Sequence, residues 1–194
     1  MNLLHRWLCS SSRWKRTMET QILPWALDGL ELGSNVLEVG PGYGVTSDLL
    51  HQRVEHLTCV EIDRSLAQRL RRRTEGLNVT VLCESATAMS LPDAAFDGAV
   101  CFTMLHHVPS SALQGQLLAE VARVLRPGGI FAGTDSCFSP VFGLLHVFNT
   151  MAVVDPSTLP HRLRAVGFER VQVDVHLDRF RFRARKPADS ISLS

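Results

Sequence analysis

Nine residues, Val36-Leu37-Glu38-Val39-Gly40-Pro41-Gly42-Tyr43-Gly44, constrain this chain more than any other stretch. An apolar run suited to a buried strand meets an acid one position before its last valine. Three glycines at every second position follow. Glycine turns tightly and lets a ligand approach the backbone without interference from a Cβ. Val45 to Leu50 then carries apolar residues at helical spacing, so the turn opens a helix whose first N–H groups face back toward the loop. Strand, glycine turn and helix together predict a ligand-binding edge at the C-terminal end of a parallel sheet.

The rest of the chain extends that pattern. Strands are predicted at Asn35–Val39, Leu57–Val60, Val79–Cys83, Asp97–Phe102 and Ile130–Thr134. Between them, Arg64–Glu75 and Ser110–Leu125 read as helices, the second with Leu113, Leu117, Val121, Val124 and Leu125 inward. Arg126-Pro127-Gly128-Gly129 stops it. Residues 17–30 read as an earlier helix, with Pro24 a kink or restart. Pro156–Val166 reads as a late helix, followed by strands Arg170–His176 and Phe180–Arg185. Alternating strands and helices argue for a parallel sheet covered on both faces, with one antiparallel strand at its edge.

Composition excludes several classes. At 194 residues the chain fits one domain. Its net charge of +1 gives no reason to expect a nucleic-acid or anionic-membrane partner. The clusters Arg69–Arg73 and Arg179–Lys186 read as solvated faces. Five scattered cysteines without C-x-x-C spacing, three of them in apolar runs, read as reduced buried thiols and not as a disulfide frame or a metal site. The longest apolar stretch, Phe138 to Val154, is broken by Ser139, Pro140, His146 and Asn149, so no membrane span and no stable membrane insertion is predicted. The location expected is cytoplasmic. Residues 1–18 contain no acid and several basic and serine residues, as an organellar transit peptide does. The reading preferred is an amphipathic helix with Leu4, Trp7 and Leu8 on one face.

Glu61 lies 21 positions after Gly40, near the spacing at which a carboxylate reaches the ribose hydroxyls of an adenosine cofactor. Asp63 competes for that role or caps the helix at Arg64. The loop runs G-x-G-x-G, tighter than the dinucleotide pattern, and Glu38 beside it would repel a diphosphate. An acid there suits a ligand bearing an ammonium and a sulfonium group.

With these residues in view, the chain resembles a class I S-adenosyl-L-methionine (SAM)-dependent methyltransferase from about Val36 to Lys186. Glu38–Gly44 is similar to the family's first motif and Val60-Glu61-Ile62-Asp63 to its second. Phe96–Val100 with Leu105-His106-His107-Val108 resembles the strand 4 motif of small-molecule members, and Leu125–Gly129 the turn into strand 5. The resemblance implies a Rossmann-like, doubly wound α/β sheet of seven strands, mostly parallel with an antiparallel strand 7. The domain expected spans 31–186 behind a helical cap at 1–30, with a lid-like insertion at 136–160 and a disordered tail at 187–194. The resemblance further implies that Gly40, Pro41, Gly42 and Gly44 cradle the methionine part of SAM and that Glu38 faces its amino group, directly or through water. Glu61 would hold the ribose with Ile62 beside it, Ser85 and Ala86 would lie at the adenine, and Thr103 near the methionine. Ser85 stands where the family usually has an aspartate, with Glu84 a possible substitute.

His106 and His107 lie where the strand 4 loop meets the substrate and are candidate bases, the alternative being that one of them stabilises the loop. The predicted lid, with Phe138, Phe142, Leu144, Leu145, Phe148 and Met151 beside His146 and Asn149, suits a small apolar or aromatic methyl acceptor. A catalytically silent SAM-binding protein or partner subunit, a protein or lipid methyltransferase, and a nicotinamide-dependent oxidoreductase remain the alternatives. The oligomeric state is left open.

Overall fold

The computed structural model describes residues 11–137 and 152–189. The proposed amphipathic helix at Leu4–Leu8, the apolar residues of the lid from Phe138 to Met151 and the end of the tail lie outside them.

The described chain begins with α1 (Ser12–Thr17), capped by the Ser11 hydroxyl, which accepts from the Trp14 N–H. It widens into a π-helical turn over Met18–Ile22 and resumes as α2 (Leu23–Leu27) with Pro24 in the first turn. Pro24 has no N–H to continue the ladder, so the helix restarts there. After β1 (Asn35–Val39) come α3 (Ser47–Leu50), β2 (His56–Val60), α4 (Arg64–Arg73), β3 (Val79–Leu82) and β4 (Phe96–Phe102). A 3-10 turn at Leu105–His107 leads to α5 (Ser111–Val124) and β5 (Leu125–Ser136). Beyond the undescribed segment lie α6 (Leu159–Ala165), β6 (Glu169–His176) and β7 (Arg179–Arg185).

The seven strands form one sheet in the order β3-β2-β1-β4-β5-β7-β6. Strands β1 to β5 pair in parallel, and β7 runs antiparallel to both β5 and β6. The antiparallel strand is therefore one place in from the edge, and β6 forms the edge itself. A short connection folds β7 back along β6, and Phe180, Phe182 and Ala184 of β7 gain a buried position against β5.

A second difference is the length of β5. Arg126-Pro127-Gly128-Gly129 does not stand outside the sheet as a separate turn, because the end of β7 supplies partners: Gly128 N–H donates to the Lys186 carbonyl and Lys186 N–H to that of Gly129. Lys186 Nζ also donates to the Leu125 carbonyl at 2.6 Å, placing a cation at the C-terminal end of α5.

Helices cover both faces. Met18, Ile22, Leu23 and Ala26 pack with Val36, Leu57, Val100 and Phe102 on one side. Leu117, Leu118, Val121 and Leu163 pack with Leu37, Phe131 and Phe182 on the other. The inner strands are buried on both faces and accordingly read as near-continuous apolar runs. At the start of β1, the Asp97 carboxylate accepts from the Ser34 and Asn35 N–H groups, tying β1 to β4.

The sheet is tightest where β4, β5 and β7 meet. A Cβ on Gly133 would lie 2.0 Å from the Cys101 carbonyl oxygen and 2.9 Å from the Phe182 ring, against strand backbone that cannot move alone. Gly133→Ala is therefore expected to lower the unfolding free energy by about 1–3 kcal/mol, the usual scale of overpacking, as read from urea melts.

Candidate cofactor and acceptor site

The glycine loop leaves the C-terminal end of β1 with Gly40, Gly42 and Gly44 all in left-handed backbone, at φ of +65°, +56° and +71°. Gly40 and Gly42 are there for different reasons. A Cβ on Gly40 would lie 2.2 Å from Met104 Cγ, whereas one on Gly42 meets nothing within 4 Å. Gly42 thus faces open space at the sheet edge, as a ligand-cradling position requires. The loop is anchored by Gly40 N–H to the Val60 carbonyl and by Gly44 N–H to that of Pro41.

Glu38 is 1% exposed. Its carboxylate accepts from the Thr46 hydroxyl through Oε1, and from the Ser47 hydroxyl at 2.5 Å and the Cys59 thiol at 3.5 Å through Oε2. Burial pushes its pKa up, while the bonds from Ser47, Thr46 and Cys59 oppose the shift. The expectation had Glu38 facing the amino group of SAM, directly or through water. The structure turns both oxygens to the hydroxyls that enter α3, so this acid supports the loop from within the core.

Glu61, just past β2, is also buried. Its Oε2 accepts from the Gly42 N–H and its Oε1 from the Asp63 N–H, each at 2.9 Å. Desolvation raises its pKa against the pull of the backbone N–H groups of Asp63, Gly42 and Ile62. A carboxylate has about four acceptor sites, so capacity is left for a ligand hydroxyl. Asp63 takes the other role open to it, capping α4 by accepting from the Ser65 and Leu66 N–H groups. Ile62 between them is 72% exposed, an apolar side chain at the sheet edge next to Glu61.

Beyond β3, Ser85 Oγ lies 2.8 Å from Thr87 Oγ1 and accepts from the Thr87 N–H, and Ala86 is half-buried beside it. Glu84 accepts from the Ser90 hydroxyl at 2.7 Å and from its N–H at 3.2 Å. Thr103 follows β4 at φ +50°, uncommon for a β-branched residue, with its N–H donating to the Thr134 carbonyl. Strained backbone of this kind concentrates at functional sites.

The two histidines have different surroundings. His106 is buried and its Nδ1 lies 2.5 Å from Asp135 Oδ1, while its N–H donates to Asp135 Oδ2 at 3.0 Å. A carboxylate only accepts, so the proton sits on Nδ1. Asp135 also takes the Ser136 N–H, and the His106 carbonyl accepts from the Ala152 N–H. Gln114 Nε2 donates to the carbonyls of Leu105 and Ala152, fixing the same loop. His107 is half-buried, with its ring centroid 4.1 Å from that of His106. Sequence reasoning missed Asp135, although an acid ending an apolar strand was the available signal.

Other expectations are revised. Cys59 and Cys101 are buried, but Cys83, past the end of β3, is exposed. The arginine clusters are more than solvated faces: Arg71, Arg181, Arg183 and Arg185 donate to the carbonyls of Val81, Trp25, Asp28 and Gly128. Among the described residues no group of three or more His, Cys, Asp or Glu could hold a metal, and no helix is long and apolar enough to cross a membrane.

The raised pKa of Glu38 fixes a sign. Below the ordinary carboxylate value Glu38 is protonated in both the folded and the unfolded chain. As pH rises, the unfolded chain releases its proton first, so the contribution of Glu38 to stability falls. The unfolding free energy of wild type minus that of Glu38→Gln should therefore decrease as pH rises above the ordinary carboxylate value in urea titrations. A difference that is flat or rises with pH contradicts this.

Comparison with known proteins agrees with this geometry. A family model described as a methyltransferase domain matches residues 37–133, from β1 through the loop to β5. A ubiquinone biosynthesis O-methyltransferase of Hahella chejuensis is 35% identical over 137 residues, covering 66% of this chain and 55% of that protein. A probable S-adenosylmethionine-dependent methyltransferase of Mycolicibacterium smegmatis is 30% identical over 141 residues, covering 71% and 52%. The chain spans about half the length of these two relatives. Among solved structures, a Pyrococcus horikoshii protein superposes with a TM-score of 0.77 at 17% identity, covering 92% of this chain and 93% of that one. A putative methyltransferase from Haloferax volcanii, solved with the Trm112 methyltransferase activator, superposes at 0.75 with 15% identity, covering 94% and 97%. With the model matched across half its length and the loop, strands and acids placed as described, the chain belongs to the class I SAM-dependent methyltransferase family.

Proposed function

We propose that this chain moves a methyl group from SAM to a small apolar or aromatic molecule, releasing S-adenosylhomocysteine. The observation that carries the reading is the pairing of Glu61 with the Gly42 N–H, which brings a buried carboxylate to the open glycine. Gly40, Pro41, Gly42 and Gly44 form the cradle for the methionine part. Glu61 receives the ribose hydroxyls, Ile62 offers an apolar surface beside them, and Ser85 and Ala86 border the adenine. Thr103 and Met104 close the methionine end near Gly40. Glu38 contributes through Thr46 and Ser47, by holding the loop in shape.

When bound, SAM supplies a carbon already activated by a sulfonium leaving group. The chain then has to align the acceptor and exclude water. Relatives named as O-methyltransferases support an oxygen acceptor. A hydroxyl acceptor benefits from a base, and the two histidines divide the work. His106, locked onto Asp135, anchors the strand 4 loop. His107, half-buried beside it, takes the acceptor proton. The Ser85–Thr87 bond favours one other reading, a silent SAM-binding protein, because a serine already engaged binds an adenine amino group less strongly than a carboxylate. Turnover with any acceptor excludes it.

Calorimetric titration of S-adenosylhomocysteine into wild type and Glu61→Ala tests the cofactor site. Wild type should bind, and the variant should bind more weakly by about 1–3 kcal/mol, the scale of lost hydrogen bonds to a charged group. Equal affinities would place the ligand elsewhere.

A further inference from the structure

Arg73 stands in the last turn of α4, in a run of arginines whose spacing suggests only a wetted helix face. Its guanidinium instead reaches the glycine loop. Nη1 donates to the Tyr43 carbonyl at 2.8 Å and Nη2 to the Gly44 carbonyl at 3.0 Å, while Nε lies 3.1 Å from the Asp48 carboxylate. One planar group thereby holds two successive carbonyls of the turn and an acid in the first turn of α3. The contact also accounts for the third glycine: a Cβ on Gly44 would lie 2.0 Å from Arg73 Nη2 and 2.6 Å from Leu70 Cδ1. Arg69, one turn earlier, places its guanidinium carbon 5.8 Å from the centre of the Tyr43 ring.

The loop needs such a restraint. In helix-terminus ligand sites the backbone donors are held in place by the helix that follows them. Here that helix, α3, is four residues long, too short to gain from helical cooperativity or to build a substantial dipole. The start of the loop is fixed by the Gly40–Val60 bond, and its entry into α3 by Glu38 beneath Thr46 and Ser47. Arg73 fixes the outer limb, at Tyr43 and Gly44.

We propose that Arg73 is a positioning residue for the cofactor, a clamp that sets the glycine loop in its binding shape before the ligand arrives. It touches carbonyls and a carboxylate of the loop and α3, and acts on the ligand through Gly42. The identity of the ligand rests on the methyltransferase reading, whereas the restraint on the loop does not. A lysine keeps the charge but loses the fork that engages three acceptors at once, so Arg73→Lys should replace Arg73 only in part.

The test compares Arg73→Met, Arg73→Lys and Arg72→Met, an exposed neighbour on the same helix. It uses two readouts, titration with S-adenosylhomocysteine and hydrogen exchange of the ligand-free protein. Arg73→Met should raise the dissociation constant about tenfold or more, the effect of losing charge-assisted bonds. It should also speed exchange at the amides of residues 42–46, while amides of the central strands keep their protection. Arg73→Lys should fall between, and Arg72→Met should match wild type. Unchanged affinity and exchange in Arg73→Met overturn the proposal, as does an equal loss in Arg72→Met, which would mark a general charge effect. Faster exchange throughout the sheet also overturns it, since Arg73 would then serve the fold as a whole. If wild type does not bind S-adenosylhomocysteine, the methyltransferase reading fails, and local exchange at residues 42–46 still decides whether Arg73 restrains the loop.

Discussion

A carboxylate in the core, Glu38, is the interaction on which the site depends. An isolated buried charge costs several kcal/mol, so it persists only where donors surround it. Three do: the hydroxyls of Thr46 and Ser47 and the thiol of Cys59. Two of these lie on the far limb of the glycine loop and one on the neighbouring strand, where Cys59 is the register partner of Glu38. Satisfying Glu38 therefore draws the loop back over the end of β1 and fixes where α3 begins. The loop has its shape because the strand beneath it contains an unsatisfied acid, and the glycines permit the turn that satisfies it.

From that anchor the rest of the edge follows. Adjacent parallel strands end in acids with opposite duties. Glu38 on β1 points into the core, where three side-chain donors of the chain meet it. Glu61 after β2 stands at the rim, held by the backbone N–H groups of Gly42, Asp63 and Ile62 with acceptor capacity left. The first shapes the loop, and in the function proposed above the second meets the ligand. At the ends of β4 and β5 the same logic recurs with His106 and Asp135, where a buried carboxylate takes up a backbone N–H and an imidazole and thereby sets the loop that carries His107. Buried acids at strand ends organise both halves of the site.

Local chemistry was legible in the sequence. The glycine pattern, the spacing to Glu61 and the alternation of strands with amphipathic helices depend on residues near one another in the chain, and the fold class followed from them. What could not be read was non-local. The order β5-β7-β6 depends on which face of the last strand finds the core, and alternation alone leaves β7 either at the edge or inside it. The reach of Arg73 to Tyr43 and Gly44, 30 and 29 positions away, has no signature in a run of arginines. Glu38 illustrates the limit most directly. Its type and position mark the loop correctly, but the direction in which its oxygens point is decided by Thr46 and Ser47, ordinary hydroxyl residues whose pattern suggests no more than a helix start.

A crystal structure with S-adenosylhomocysteine bound tests the central claim most directly. The account predicts the ribose hydroxyls on Glu61, the methionine part along Gly40 to Gly44, and Glu38 still bonded to Thr46 and Ser47. The loop should lie within about 1 Å of its ligand-free position, as in other pre-organised sites. A ligand bound away from Glu61, or a Glu38 that leaves its hydroxyls to reach the amino group, would contradict it.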